Sequence, residues 1–365
     1  MIFHPSLPAN PSRRLMKTTP LAVLFVAGLA LSAQAQSDRI HLHDGTVLDG
    51  VKINSFDVRE LKYSNGGAQS VSTDLVAKIE LEKFADTYRR ALGNRDPDIM
   101  LTLAREQLAA KDTLMAQAGL HRAAMMFFDQ GKAAEAVAAL EELQKSLPDA
   151  GYVPEVFRQK FEYYLGLGAK GAGNAGKVAS AFRDAAMGNA WPAGFALEAE
   201  FFTALAERVG GGNPKDFQLK LNGVASRAGG TSPTIANRAN VQLAHSLRET
   251  KDLAGAQRIY EELLAKDGVD VNSRAGCYLG LGLLKMDTAG ADKEAYRAAL
   301  LLFLRVRLET KESWANLQAE ALYNAILAAD KWRGNEFAYI MARCRGLLFN
   351  DFGDTEWAQR ARSGR

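Results

Sequence analysis

A skeleton of small and large apolar residues returns along this chain at nearly even intervals. A chain with such a period folds as a stack of similar units, each packed against its neighbours. In the run from Ala124 to Leu143, Ala124 stands opposite Ala136, Leu140 and Leu143 follow along one face, Gly131 marks a turn and Pro148 closes the unit. Residues three and four apart share a helix face, so this spacing predicts two antiparallel helices. The pattern recurs as Gly166 with Val178, Phe182 and Ala185, as Leu205 with Phe217, Leu221 and Val224, and as Ala244 with Ala256, Tyr260 and Leu263. It returns more loosely as Ala299, Phe303 and Val306 and as Phe337, Met341 and Cys344, giving six expected hairpins. None can bury its apolar stripe alone, so the array is the folding unit.

The skeleton of Ala124, Ala136, Leu140, Leu143 and Pro148 resembles the tetratricopeptide repeat. The second-helix anchors Ala136, Val178, Phe217, Ala256, Ala299 and Phe337 are spaced by 42, 39, 39, 43 and 38 residues. The family period is about 34, so longer loops are expected, and a more generic helical solenoid with ~40-residue repeats stays open. The resemblance covers roughly residues 115–350. Gly210-Gly-Gly-Asn-Pro214 and Gly229-Gly-Thr-Ser-Pro233 end one helix with glycine and start the next with proline. Nothing after residue 83 reads as strand.

The resemblance implies a concave groove lined by the first helices of successive hairpins. Carried over position by position, its lining is His121 and Met125 in the first hairpin, Tyr163 and Leu167 in the second, Phe202 in the third, and Val241 and His245 in the fourth. Lys160, Arg238 and Arg248 fall along the same strip. Aromatics flanked by a few cations suit an extended peptide. Phe128, Tyr163 and Phe202 are equally suited to burial between hairpins. If the groove is the site, replacing Tyr163, Arg238 and Arg248 together abolishes partner capture and leaves melting unchanged.

The N-terminus has another character. Leu21 to Leu31 is an unbroken apolar run, preceded by Arg13, Arg14 and Lys17 and followed by Ala33-Gln-Ala35, the pattern of a cleavable signal peptide. The run is too short to span a bilayer. Cleavage is expected after Ala35, and no cysteine stands there to carry a lipid. Met16-Lys17 would itself make a normal start, and Ser12-Arg13-Arg14 leaves the twin-arginine route open beside the general one. Without Arg13, Arg14 and Lys17 the remaining 42 basic residues equal the 42 acidic ones. The basic character of the whole chain therefore gives no support for nucleic-acid binding. Cys277 and Cys344 fall on apolar stripes of different hairpins and are expected as buried free thiols.

Between signal and hairpins the pattern changes to period two. Ile40 to Ile53 alternates around Asp44-Gly45, Glu60 to Val71 around Asn65-Gly66, and Leu75 to Leu81 supplies a last strand. Five short strands resemble the small barrels of the SH3-like or Sm-like type. Phe84–Gly93 and Pro97–Ala110 read as helices, the second capped by Asp96. The expected architecture is mainly α, an α-solenoid of tetratricopeptide-like hairpins preceded by a small β-barrel. Its parts are a signal peptide (1–35), a small β-barrel-like domain (36–82), connecting helices (83–114), the solenoid (115–350) and a C-terminal tail with a short helix (351–365).

Chemical motifs are sparse. His41 and His43 stand two apart on a predicted strand and would project from one face as a metal-ligand pair, but no third ligand is evident nearby. Gly166-Leu-Gly168-Ala-Lys-Gly171 and Gly171-Ala-Gly173-Asn-Ala-Gly176-Lys177 have nucleotide-loop spacings without the preceding strand, and Val178 stands where a phosphate loop needs Ser or Thr. No Gly-x-Ser-x-Gly or His-Glu-x-x-His appears. The expected function is an exported, non-enzymatic scaffold of the cell envelope, periplasmic or secreted, that holds a protein or peptide in its groove. No cofactor, nucleic acid or membrane span after cleavage is expected. The alternatives are a metal-assisted hydrolase using His41 and His43, or an architectural subunit that associates with its own copies.

Overall fold

The computed structural model describes residues 37–310 and 314–364. The expected signal peptide and its cleavage point lie outside the described residues. Five strands come first: β1 (Asp38–Leu42), β2 (Val47–Phe56), β3 (Glu60–Ser64), β4 (Ala68–Ser72) and β5 (Val76–Glu80). They form one antiparallel sheet in the order β4-β3-β2-β1-β5. Gly45 (φ 90°) and Gly66 (φ 70°) supply the left-handed residues that the Asp-Gly and Asn-Gly turns require. Alternation buries Ile40, Val51, Ile53, Leu61 and Tyr63 in the small core of the sheet.

Three connecting helices follow, α1 (Phe84–Thr87), α2 (Arg89–Asn94) and α3 (Pro97–Ala109). Asp96 caps α3, its carboxylate accepting from the N–H groups of Asp98 and Ile99. The hairpins are α4 (Thr113–Asp129) with α5 (Ala133–Ser146), α6 (Val153–Gly166) with α7 (Ala172–Gly188), and α8 (Ala193–Val209) with α9 (Pro214–Ala228). Then come α10 (Pro233–Glu249) with α11 (Leu253–Leu264), α12 (Val271–Thr288) with α13 (Lys293–Glu309), and α14 (Ala315–Trp332) with α15 (Phe337–Asp351). A last helix, α16 (Glu356–Ser363), ends the described chain. The molecule is thus mainly helical with a small N-terminal antiparallel sheet, and adjacent helices pack as in a helical repeat.

The repeat skeleton is the core. Ala136, Leu140, Phe182, Leu221, Ala256, Tyr260, Ala299 and Phe303 are all buried, whereas Phe337 and Met341 of the last hairpin are half-buried. Each fully buried large side chain contributes roughly 1.5–3 kcal/mol relative to exposure. Gly166–Gly171 joins α6 to α7 with helix on both sides. Cys277 and Cys344 are free and buried. Among the described residues no helix is long and apolar enough to cross a membrane.

The sheet is fastened to the start of the stack. The carbonyl of Phe56 accepts from Gln117 Nε2 and from the Gly151 N–H, both at 3.0 Å, and its ring meets Tyr152 edge-on at 5.4 Å. A Cβ at Gly151 would lie 2.4 Å from the Phe56 ring, so glycine alone permits that seat.

The stack also curls far enough for α14 to touch α6, four hairpins earlier. Trp314, just before α14, packs edge-on against Phe202 at 5.9 Å, and its N–H donates to Asn272 Oδ1 at 2.7 Å. The last helix locks this arrangement through Trp357 Nε1, which donates to Asn316 Oδ1 at 3.1 Å.

Candidate functional site

The curl leaves a cleft of about 1410 Å³ on the inner side of the stack. Its walls come from the β1–β2 turn, the C-terminal half of α4, one face of α6, the start of α12, the residues opening α14 and the loop before α16. The turn reaches this place because Asp44 Oδ1 accepts the Thr46 N–H at 2.8 Å and Leu42 pairs with the Thr46 carbonyl. Its tip rests on the loop before α12, where a Cβ on Gly268 would stand 3.3 Å from the Asp44 carbonyl oxygen.

The back of the site is a ladder of charges. Arg158 on α6 donates to Glu198 on α8 at 2.8 Å, Glu198 accepts from Arg238 on α10 at 3.1 Å, and Arg238 reaches Asp270 at 3.2 Å. Asp270 caps α12, accepting from Ser273 Oγ at 2.6 Å. Arg158, Glu198 and Arg238 are spaced by 40 residues, one repeat each, so the ladder is a periodic feature of the first helices. Glu198 is only 1% exposed and has a guanidinium on either side, so the buried ladder pairs its charges. Burial works against the Arg158 charge, but Glu198 and Glu155 outweigh it and raise its pKa above the usual arginine value.

Two further groups face this ladder. Burial, helped by Arg158 and Arg238, pushes His43 down to about 3, so its imidazole is neutral at neutral pH. Burial pushes the Glu162 carboxyl up to about 7, against the backbone N–H groups of Ala315 and Asn316 at the start of α14.

The ten residues expected in the groove separate into distinct places. Met125, Tyr163, Leu167 and Arg238 line the cleft. His121 stacks on Tyr152 at 4.6 Å and faces a smaller adjoining cavity of about 500 Å³, which Met125 also borders. Lys160 turns towards α5, paired with Glu141 at 2.7 Å. Phe202 is fully buried on Phe161, ring on ring at 4.0 Å. Val241 is buried against Gly276, His245 bonds Tyr260 at 2.9 Å, and Arg248 pairs with Asp287 on α12 at 2.9 Å. The position rule assumes an open inner face. Here successive first helices lie against one another and Trp314 covers the third hairpin, so Phe202, Val241, His245 and Arg248 face protein instead of the cleft.

The histidine pair also differs from expectation. β1 ends at Leu42, with a register shift between His41 and Leu42, so His43 belongs to the turn and not to the strand. His41 directs Nε2 towards Glu80 at 3.4 Å, while His43 faces the two arginines. Among the described residues no three His, Cys, Asp or Glu side chains converge as a metal-binding group. The ladder, Glu162 and the cleft-lining turn escaped the sequence reading. The 40-residue spacing of Arg158, Glu198 and Arg238 was the signal that could have revealed the ladder. Glu162 had none, because its role depends on the distant residues 315 and 316.

No family model matches the chain, and no curated protein matches it.

Proposed function

We propose that this chain is an exported, non-enzymatic binding protein of the cell envelope that holds a peptide or protein segment in its inner cleft. One observation carries the reading: a cleft of about 1410 Å³ has Met125, Tyr163 and Leu167 on its wall. Small-molecule pockets usually run to about 300–1,000 Å³, so this one has room for a stretch of several residues. The ionic ladder behind it supports a binding role over a catalytic one, since Arg158, Glu198, Arg238 and Asp270 spend their hydrogen bonds on one another. Helical hairpins with buried Ala136, Leu140 and Leu143 support the tetratricopeptide-like identity of the stack. The sheet order, with a 3-10 turn (Thr73–Leu75) between β4 and β5, supports an SH3-like reading of the N-terminal part. The pattern of Leu21–Ala35 supports export.

The test is site-specific photocrosslinking in the native envelope. A photoreactive residue at Leu167 is expected to capture one defined peptide stretch of one protein, and a photoreactive residue at Leu219, exposed on the outer helix α9, to miss it. Absence of any crosslink specific to Leu167 would overturn the proposal.

A further inference from the structure

One carboxylate in the cleft lacks its complement. Glu162 lines the cleft, is 9% exposed, and its Oε1 has no hydrogen-bond partner among the described residues. Neighbouring acids are satisfied: Glu155 receives Arg158 Nη1 at 3.2 Å and Gln159 Nε2 at 2.6 Å, and Glu198 and Asp270 belong to the ladder. The groups that face Glu162 are Glu155 from α6, Arg238 from α10 and the Ala315 and Asn316 N–H groups from α14. A carboxylate taken out of water with a bare oxygen is costly unless something else supplies the missing donor.

Resting on the reading of the cleft as a peptide site, we infer that Glu162 anchors a primary ammonium group of the bound segment, either a lysine side chain or a free amino terminus. The geometry favours ammonium over guanidinium. The N–H groups of α14 already face the carboxylate, which leaves one bare oxygen for the ligand. A guanidinium binds a carboxylate best with two oxygens in a fork, whereas an ammonium is a point donor that one oxygen serves. A catalytic use of Glu162 would need a second reactive group within reach, and the acid that acts on its charge, Glu155, is held on both oxygens. Because burial pushes Glu162 up to about 7, the ammonium binds best to the deprotonated form. Affinity for a lysine-bearing segment is therefore expected to rise roughly tenfold from pH 6 to pH 8, and for a free amino terminus by less, because that group loses its own proton near pH 8.

The test offers three pools of nonapeptides to the full chain, with retained peptides read by mass spectrometry. The first pool is amino-terminally acetylated with a central lysine, the second identical but with acetyl-lysine, and the third lysine-free with a free amino terminus. Retention of the first or third pool at least roughly tenfold above the second is expected, and whichever is retained identifies the source of the ammonium. Glu162→Gln, with unchanged circular dichroism, should abolish that preference and the pH dependence. Equal retention of the acetylated pool would overturn the inference while leaving the peptide site intact. Retention of no pool would overturn the peptide site itself, and the inference with it. Should Glu162→Gln fail to fold, the comparison of lysine with acetyl-lysine on the unsubstituted chain decides alone.

Discussion

The guanidinium of Arg238 lies 5.3 Å from the centre of the Trp314 ring. Through this contact one residue joins three parts of the stack, because the same guanidinium also holds Glu198 of the third hairpin and Asp270 at the cap of the fifth. Arg238→Ala is expected to lower stability by about 3 kcal/mol, since it leaves buried carboxylates short of a counter-charge. Chemical denaturation checks this. A combined replacement of Tyr163, Arg238 and Arg248 would therefore not be silent in melting, contrary to the sequence-based expectation, because two of the three hold ion pairs inside the stack.

Phe202 and Tyr163 separate in the same way. Phe202 is fully enclosed between Phe161 and Trp314, so Phe202→Ala should cost about 3–5 kcal/mol through lost burial and the cavity left behind. Tyr163 stands half-buried on the cleft wall, and Tyr163→Ala should cost under about 1 kcal/mol while weakening capture of the bound segment. Melting and crosslinking yield measured side by side distinguish the two.

The elements of the fold were legible because they depend on short-range periodicity. The small-large skeleton put an anchor in the second helix of each of the six hairpins, and Asp44-Gly45 and Asn65-Gly66 located both β-turns. The inner face was not legible. Whether Phe202 faces a groove or a neighbour depends on how far the stack curls, which is set by small rotations accumulated over many repeats and by Trp314 folding back on the third hairpin. Glu162 illustrates the same limit, since its surroundings come from a helix that begins more than 150 residues later. His43 failed for a local reason, the register shift that ends β1 one residue too early for the period-two rule.

A glycine on α12 lets that helix pack closely on α11. A Cβ on Gly280 would stand 2.1 Å from the ring of Tyr260, which is itself fully buried and bonded to His245. Gly280→Ala should therefore destabilise by about 2 kcal/mol through overpacking, despite the better helix propensity of alanine. Gly223 on α9 is the control. It is exposed with open space around its Cβ position, so Gly223→Ala should stabilise by about 0.5–1 kcal/mol. Urea midpoints with unchanged slopes would verify both signs.

Buried groups set two opposing dependences on pH. Burial, with Arg248, lowers His245 from 6.5 to about 3, so between those values the unfolded chain binds more protons and stability falls as pH falls. Burial raises Glu162 from 4.5 to about 7, so across that interval the folded chain binds more protons and stability falls as pH rises. Glu162→Gln removes only the part of the second dependence that Glu162 contributes, since burial also raises Glu320 to about 7. Its stability should match that of the unsubstituted chain near pH 4 and exceed it at pH 8, by up to about 3 kcal/mol at ~1.4 kcal/mol per pKa unit. The difference should shrink once the cleft is occupied by an ammonium-bearing peptide, because the bound cation then stabilises the Glu162 charge. Denaturation at pH 4 and pH 8 gives the check, and equal destabilisation by Glu162→Gln at both would show that Glu162 is a paired structural carboxylate instead of an unsatisfied one.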